Sequence, residues 1–271
     1  MPRDLRIWLG GGFILLLIVC ALAAPLIAPA DPLEQDLMLT TMAPGQEPGY
    51  YLGTDSLGRD VLSRLIYASR VALTVAFVAA TLACLLGTML GLAAGYLGGW
   101  WDRVISRLID IWMAFPPVLL SILLVAVLGS GLHSVIAAIV VIDWTRFARV
   151  VRAEAQQQAR LEYAEAATAL GMGRGAILFR EILPNVLPVV LVLLSLEMGI
   201  AVIVEAILSF VGLSVSTDTP TWGGMIAEGR QIIYQAWWVL VFPLVTLFLT
   251  VLAFNQLGDG LRQWLDPMLK R

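Results

Sequence analysis

Six long segments of this chain are apolar and almost free of charge, and this feature constrains the fold more than any other. A membrane-spanning helix needs about 20 mostly apolar residues, because the hydrocarbon core is about 30 Å thick and a helix rises about 1.5 Å per residue. The segments are continuous rather than alternating, which predicts helices instead of barrel strands. The predicted spans are residues 7–27, 71–97, 105–128, 135–151, 184–213 and 236–257, and the third is predicted to be interrupted at Pro116 and Pro117.

The overall composition agrees with a bilayer as the solvent. Hydrophobic residues make up 59% of the chain and charged residues only 14%, whereas soluble domains carry about 25% charged residues. We therefore predict an all-α integral membrane protein with six transmembrane helices. The first segment is predicted to be a retained anchor, and the alternative is a signal peptide cleaved near residues 21–23 (ALA).

The distribution of lysine and arginine predicts the orientation of the spans. Basic residues accumulate on the cytoplasmic side of membrane proteins. With a cytoplasmic N-terminus, 13 of the 17 basic residues fall inside or at inner helix ends, and only four fall outside. Both termini are therefore predicted to be cytoplasmic. The four outer residues are Arg59, Arg64, Arg70 and Arg230.

The cysteine and histidine content argues against a metal site or a catalytic centre. Cys20 and Cys84 lie inside apolar segments and are interpreted as small buried apolar residues. His133 is the only histidine, so a zinc site or a Ser-His-Asp centre lacks its parts. The chain also shows no phosphate loop and no basic face for nucleic acid. It is predicted to be no enzyme and to bind no cofactor or metal itself.

The predicted inner loop, residues 152–183, contains a strong helix-forming sequence. Residues 162–169 (EYAEAATA) are rich in alanine and glutamate. Gly171 is predicted to end this helix, because glycine adopts the left-handed conformation without steric cost. A second short amphipathic helix is predicted to end at Pro184, so that the loop forms a helical hairpin below the bilayer. The small side chains of Ala164, Ala166 and Ala167 would allow a partner surface to approach closely. The alternative is an amphipathic linker lying on the membrane.

This loop resembles a motif of a known transporter family. Glu165, Ala166 and Ala167, then Gly171, then Ile182, Leu183 and Pro184 are similar to the EAA loop of binding-protein-dependent ABC importer permeases. In that family the loop holds the coupling helix, which docks into a groove on the cytoplasmic ATPase. The resemblance implies that these seven residues couple the chain to an ATPase.

Four further motifs resemble the peptide/nickel (dipeptide/oligopeptide) permease group, C-type subunit. They extend the resemblance to nearly the whole chain, with small departures at Ser214 and at residues 216–218. The motifs are residues 53–65 (GTDSLGRDVLSRL), 95–103 (GYLGGWWDR), 207–213 with 219–223 (ILSFVGL, TPTWG) and 254–261 with 265–267 (FNQLGDGL, LDP).

The resemblance implies a fold, a set of partners and a location. The fold would be that of a type I ABC importer permease, with residues 1–70 as an anchor helix plus an extracytoplasmic loop. Residues 71–271 would form a five-helix core. The partners would be a second permease subunit in a heterodimer, two ATP-binding subunits that carry the ATP and magnesium, and an extracytoplasmic solute-binding protein. The location would be the bacterial cytoplasmic membrane.

The expected cargo is a di- or oligopeptide. The alternative within the family is nickel or a nickel chelate. A rival of another class is an ion-coupled secondary transporter acting alone, for which Pro116 and Pro117 would mark an unwound helix. A membrane enzyme is disfavoured, because the spans lack a nucleophile with a nearby base.

Four acidic residues lie within the predicted spans and must face protein or water. Glu197 and Glu205 are eight residues apart on one helix, which puts them on one side and makes them candidates for the translocation path. The alternative is that they only fix helix packing. Local ion pairs would account for Asp110 and for Asp143, which precedes Arg146 by three residues.

The outer loop carries a charged motif with two interpretations. Arg59, Asp55 and Asp60 could contact a binding protein or brace the loop itself. We favour bracing, with Asp55 capping a helix that starts near Ser56.

Overall fold

The computed structural model describes residues 3–215 and 218–265, and the regular structure in these ranges is helical. A 3₁₀ turn lies at Leu37–Leu39, and π-turns lie at Ala93–Leu97 and Leu178–Ile182. Ser216, Asp266, Pro267, Lys270 and Arg271, which entered the sequence interpretation, lie outside the described residues. The α-helices are α1 (Arg3–Leu22), α2 (Ala24–Ile27), α3 (Val61–Leu92), α4 (Gly99–Met113), α5 (Pro117–Leu128), α6 (Leu132–Gln158), α7 (Glu162–Ala169), α8 (Arg174–Ile177), α9 (Leu183–Phe210), α10 (Trp222–Gln231) and α11 (Trp237–Leu265).

Four helical stretches are long and apolar enough to cross a membrane, and a bent helix pair could supply a fifth crossing. They correspond to the first, second, fifth and sixth predicted spans. The second begins ten residues earlier than the predicted residue 71, because α3 starts at Val61. α6, the predicted fourth span, is long enough to cross a membrane. It is not among the four stretches, because its second half carries several charges. The four stretches are Leu5–Leu22, Val61–Leu97, Arg174–Phe210 and Trp237–Leu265.

The predicted third span is broken at Pro116 and Pro117, where the sequence predicts an interruption, and whether its two halves form one crossing stays a prediction. α4 and α5 meet at an angle of 90° across the segment 114–116. Proline lacks the N–H that continues a helix and restrains the residue before it. Pro117 therefore starts α5 instead of interrupting a straight helix, and Pro116 takes an extended conformation before it. α5 alone is about 18 Å long, shorter than the hydrocarbon core.

α3 and α6 pack closely along a row of glycines. Gly87, Gly91 and Gly95 follow each other at four-residue spacing on α3 and the π-turn after it. A Cβ atom at these positions would collide with the backbone of Trp144, Ala148 and Arg152, respectively. Only glycine permits this approach, so the row fixes the distance between the two helices.

The first helix is joined to the last one. At Gly10, a Cβ atom would collide with the Ala253 carbonyl on α11, so these backbones touch. Arg6 also forms an ion pair of 3.4 Å with Asp259. α1, α3, α10 and α11 share one apolar core, to which Ile14 and Phe254 contribute. The predicted boundary at residue 70 stays a prediction.

Candidate functional site

The hairpin between α6 and α9 has the helix and the turn that the sequence predicts. α7 spans Glu162–Ala169, and Gly171 has φ of +81°. The Met172 N–H donates to the Ala167 carbonyl at 3.1 Å, and the Gly171 N–H donates to the Thr168 carbonyl at 3.0 Å. This bond pair is a Schellman motif, which satisfies the last carbonyls of the helix and reverses the chain. The predicted end of α7 at Gly171 is confirmed.

The inner face of the hairpin belongs to the chain's own core. Ala164 and Ala167 are buried, although the sequence interpretation put them on a docking surface. Helical periodicity places positions 164 and 167 on the same side, opposite the exposed Ala166. Ala167 packs in one cluster with Ile177, Ile182, Phe147, Val151 and Val186. The interpretation is thus wrong for two of the three alanines.

The outer face of the hairpin is exposed and partly apolar. Glu165 and Ala166 are exposed, and Leu170 and Phe179 have exposed fractions of 83% and 62%. Exposed large apolar side chains can mark a protein-binding surface. Sequence reasoning missed Leu170 and Phe179, and no local pattern singles out Phe179, which directly follows Ile177 and Leu178.

The second arm of the hairpin is not a separate helix, which corrects the prediction that it ends at Pro184. The chain is helical from Arg174 to Phe210 through the π-turn Leu178–Ile182. Pro184 is the second residue of α9 and is exposed, whereas Leu183 is half-buried. Pro184 has no N–H for the carbonyl four residues earlier, which explains the wider turn before it.

A hydrogen-bonded chain ties the start of α7 to the end of α6. The Tyr163 hydroxyl donates to the Gln158 side-chain oxygen at 2.7 Å, and the Gln158 amide donates to Glu154 at 2.8 Å. Partial burial raises the pKa of the Tyr163 hydroxyl above its ordinary value. These bonds restrict the angle between the two helices.

Glu197 lies between α6 and α9 and has a basic partner there. Arg146 donates to both Glu197 oxygens, at 3.2 and 3.1 Å, and its Nε lies 3.8 Å from Asp143. The predicted local pair between Asp143 and Arg146 is confirmed, whereas the one predicted for Asp110 is wrong, because among the described residues no basic group lies within 4 Å of its carboxylate. Glu197 is only 3% exposed, so the single chain does not open it to a passage.

Glu205 is enclosed near the other end of α9. The Ser209 and Ser214 hydroxyls donate to the same Glu205 oxygen, at 2.5 and 3.2 Å, and Glu205 is 1% exposed. The contacts of Glu205 and Glu197 agree with the packing alternative, and their place in a translocation path stays a prediction.

A second charged cluster joins the outer loop to α10. Asp55 is fully buried and accepts hydrogen bonds from the Leu57 and Arg59 N–H groups and from the Arg59 Nε at 2.7 Å. Arg64 donates to Asp55 and also to Glu228, at 2.6 and 3.1 Å. The motif therefore braces the loop, as favoured.

The predicted cap of the helix after this loop is wrong in its residue. α3 begins at Val61, and Asp60 caps it by accepting from the Ser63 N–H at 2.7 Å. Asp55 makes a turn instead, because no helix follows at Ser56.

The part of the chain that the structure describes holds no group of three or more His, Cys, Asp or Glu side chains placed to bind a metal ion. The four apolar helical stretches define a helical membrane protein, and its hairpin exposes the large apolar side chains of Leu170 and Phe179.

Comparison with known proteins assigns the family. Residues 87–271 match the family described as "Binding-protein-dependent transport system inner membrane component", and residues 7–44 match "N-terminal TM domain of oligopeptide transport permease C". The first match covers more than half of the chain. The chain therefore belongs to the inner membrane components of binding-protein-dependent transport systems, in the peptide/nickel permease group that the sequence resembles.

Three relatives with given names are similar to this chain over most of its length. The chain is 42% identical over 260 residues to the glutathione transport system permease protein GsiD of Pectobacterium atrosepticum, covering 96% of this chain and 86% of the relative. It is 43% identical over 258 residues to GsiD of Shigella flexneri serotype 5b, covering 95% and 85%. GsiD of Escherichia coli O157:H7 is 42% identical over 258 residues with the same coverage.

Proposed function

We propose that this chain is a permease subunit of an ATP-driven importer for di- and oligopeptides. The observation that carries the proposal is the hairpin, which buries one face in its own helices and leaves Glu165, Ala166, Leu170 and Phe179 exposed. A membrane protein acting alone has no evident use for such a surface. An importer whose ATPases are separate subunits needs one.

The proposed topology has six spans with both termini in the cytoplasm. α6 is the fourth span despite its charges, because Arg146 and Asp143 are satisfied by each other and by Glu197 rather than by lipid. The bent pair α4 and α5 is the third. This topology puts the hairpin on the basic, cytoplasmic side, where an ATPase can reach it.

The hairpin is proposed to act as the coupling helix. Glu165 and Ala166 would contact the ATPase directly. Ala167, Gly171 and Ile182 would hold the shape of the hairpin, together with Leu183 and Pro184 at the start of α9. The chain is helical without a break from Arg174 to Phe210, a length of about 55 Å. A displacement of the hairpin by the ATPase would therefore tilt this whole helix.

The proposed assembly is a heterodimer with a second permease, joined to two ATP-binding subunits and an extracytoplasmic binding protein. ATP and magnesium would be bound by the ATPases. Glu197 and Glu205 remain candidates for the translocation path. They would meet cargo only in a state that separates the elements now enclosing them, since both are buried here.

Peptide cargo is preferred over nickel for one reason. The relatives are named for glutathione, which is itself a tripeptide. Nickel or a nickel chelate stays the alternative, because a separate binding protein would select the cargo.

Co-purification and uptake would test the proposal together. The tagged chain is co-expressed with the neighbouring transport genes, purified in detergent and reconstituted in vesicles with the binding protein. We expect a second permease and two ATPases to co-purify, and uptake of labelled tripeptides to require ATP. A chain that purifies alone and transports with an ion gradient but without ATP would support the secondary transporter instead. ATP-dependent uptake of nickel without peptide uptake would support the alternative cargo.

A further inference from the structure

α4 runs antiparallel beside α6, which is the fourth span in the proposed topology. Near one end, Asp102 of α4 pairs with Arg152 of α6. Ile105 and Ile109 lie in a cluster with Trp144 and Ala148. Near the other end, the Trp112 indole donates to the Val141 carbonyl at 2.6 Å. Along the contact between the two helices, residue numbers therefore rise on α4 as they fall on α6.

In the proposed topology, this register places Arg107 and Asp110 of α4 inside the span and Arg103 near its cytoplasmic end. Asp110 falls near the level of Asp143, and Arg107 falls near the level of Arg146. Arg103 lies one turn closer to the cytoplasmic end. All three α4 side chains are exposed in the single chain, and among the described residues none of them has an ion-pair partner within 4 Å. Charged groups at this depth do not face lipid, so they require water or another polar surface.

The rest of α4 separates its environments clearly. Ile105 and Ile109 are buried against α6. Trp101, Leu108 and Ile111 form an exposed apolar face suited to lipid. The charged residues lie at positions i, i+4 and i+7, on one further face. That face borders a polar groove of about 560 Å³. The groove is lined by Gly99, Asp102, Arg103, Ser106, Arg107, Asp110 and Arg152.

We propose that this polar face of α4 lines the aqueous translocation passage and binds the charged ends of the peptide cargo. Arg103 and Arg107 are one helical turn apart and would hold a carboxylate, for which the planar guanidinium is well shaped. Asp110, deeper in the membrane, would hold the peptide's ammonium group. The assignment rests on the proposed function for the identity of the cargo and on the proposed topology for the depth of the face in the membrane.

The charge balance favours cargo with more carboxylates than amines. Asp102 and Arg152 neutralise each other across the groove. Arg103, Arg107 and Asp110 then leave one net positive charge facing the passage. A second permease subunit could instead cover this face, and the first experiment separates the two outcomes.

Cysteine labelling tests whether the face meets water in the assembled transporter. In a background with Cys20→Ser and Cys84→Ala, Arg107→Cys and Leu108→Cys are compared. These neighbours lie at the same depth but on different faces. A membrane-impermeant maleimide applied from the cytoplasmic side should label position 107 at least tenfold faster than position 108. An unreactive position 107 would mean that the partner subunit covers the face, and equal labelling would mean that α4 is not at membrane depth. Either result overturns the proposal.

Uptake kinetics test the cargo contact. For R103Q/R107Q, we expect the KM for a free peptide to rise about tenfold, with a smaller change for a peptide amidated at its C-terminus. For D110N, we expect the KM to rise for a free peptide but not for an N-acetylated peptide. Arg230→Gln, on the outer side, is the control. Equal effects on blocked and free peptides would overturn the cargo contact. If the wild-type transporter takes up no peptide, that contact falls with the proposed function, while labelling still decides whether the face lines the passage.

Discussion

The Arg146 guanidinium on α6 lies 3.1 Å from the Glu197 carboxylate on α9 and 3.8 Å from Asp143 on its own helix. One arginine thus serves two nearly buried carboxylates. α6 leads into the hairpin and α9 leads out of it. This contact therefore connects the two helices that carry the hairpin. α6 and α9 are then constrained to move together.

Removal of Arg146 should be more harmful than removal of Glu197. Arg146→Met leaves two carboxylates without a counter-ion, whereas Glu197→Gln leaves Arg146 with Asp143. Breaking a buried ion pair costs roughly 3–5 kcal/mol when the remaining charge has no partner. We expect a clearly lower melting temperature in detergent for Arg146→Met than for Glu197→Gln, measured on the purified complex. Equal loss, or the reverse order, would contradict the shared role of Arg146.

The outer cluster supports a similar comparison. Asp55 is fully buried and accepts from both arginines and from backbone N–H groups, while the Glu228 side chain is 36% exposed. Asp55→Asn should therefore destabilise the outer loop by about 2–3 kcal/mol, and Glu228→Gln by about 1 kcal/mol. Limited proteolysis of residues 28–60 measures this opening. A loop that is cleaved more readily in Glu228→Gln than in Asp55→Asn would contradict the assignment.

The exposed face of the hairpin should carry ATPase binding. Leu170→Ser and Phe179→Ser each remove a large apolar contact without disturbing the buried side. We expect each to reduce the amount of co-purifying ATPase by about tenfold, as burial of such a side chain contributes roughly 1.5–3 kcal/mol. Met38→Ser is the matched control, because Met38 is 88% exposed on the outer loop. Unchanged ATPase recovery in both hairpin variants would remove this surface from the coupling proposal.

Local features were predictable from the sequence, and contacts between distant segments were not. Helix propensity and one glycine sufficed to place α7 and its end at Gly171. The pair of Asp143 with Arg146 follows from helical spacing. The partner of Glu197 is 51 residues away, and Arg64 meets Glu228 across 164 residues, so no periodicity points to either contact.

The sharp bend in the third predicted span was not predictable for a related reason. Apolar composition alone does not report the direction of a helix, and most residues of 105–128 are apolar on both sides of the bend. Pro116 and Pro117 indicated a break, but the angle of 90° depends on packing against α6. The buried side of the hairpin was missed for a similar reason. Ala164 and Ala166 are both alanines, but Ala164 is buried and Ala166 is exposed.

The turn at Gly171 gives the sharpest test of the hairpin's geometry. Gly171 has φ of +81°, and a Cβ atom added there would meet nothing within 4 Å. Gly171→Val would thus suffer from backbone strain rather than from a collision. The left-handed conformation costs a residue with a side chain roughly 1–2 kcal/mol, and more when the side chain is β-branched. We expect Gly171→Val to lose most ATP-dependent uptake and ATPase binding while inserting normally into the membrane.

Gly175 provides the matched control within the same hairpin. A Cβ atom there also meets nothing within 4 Å, but Gly175 lies in the ordinary helical conformation of α8. Alanine loses less conformational freedom on folding than glycine, so Gly175→Ala should stabilise the hairpin by up to about 1 kcal/mol. Uptake by Gly175→Ala should therefore match the wild type. If Gly171→Val transports as well as Gly175→Ala, the turn does not position the hairpin for coupling.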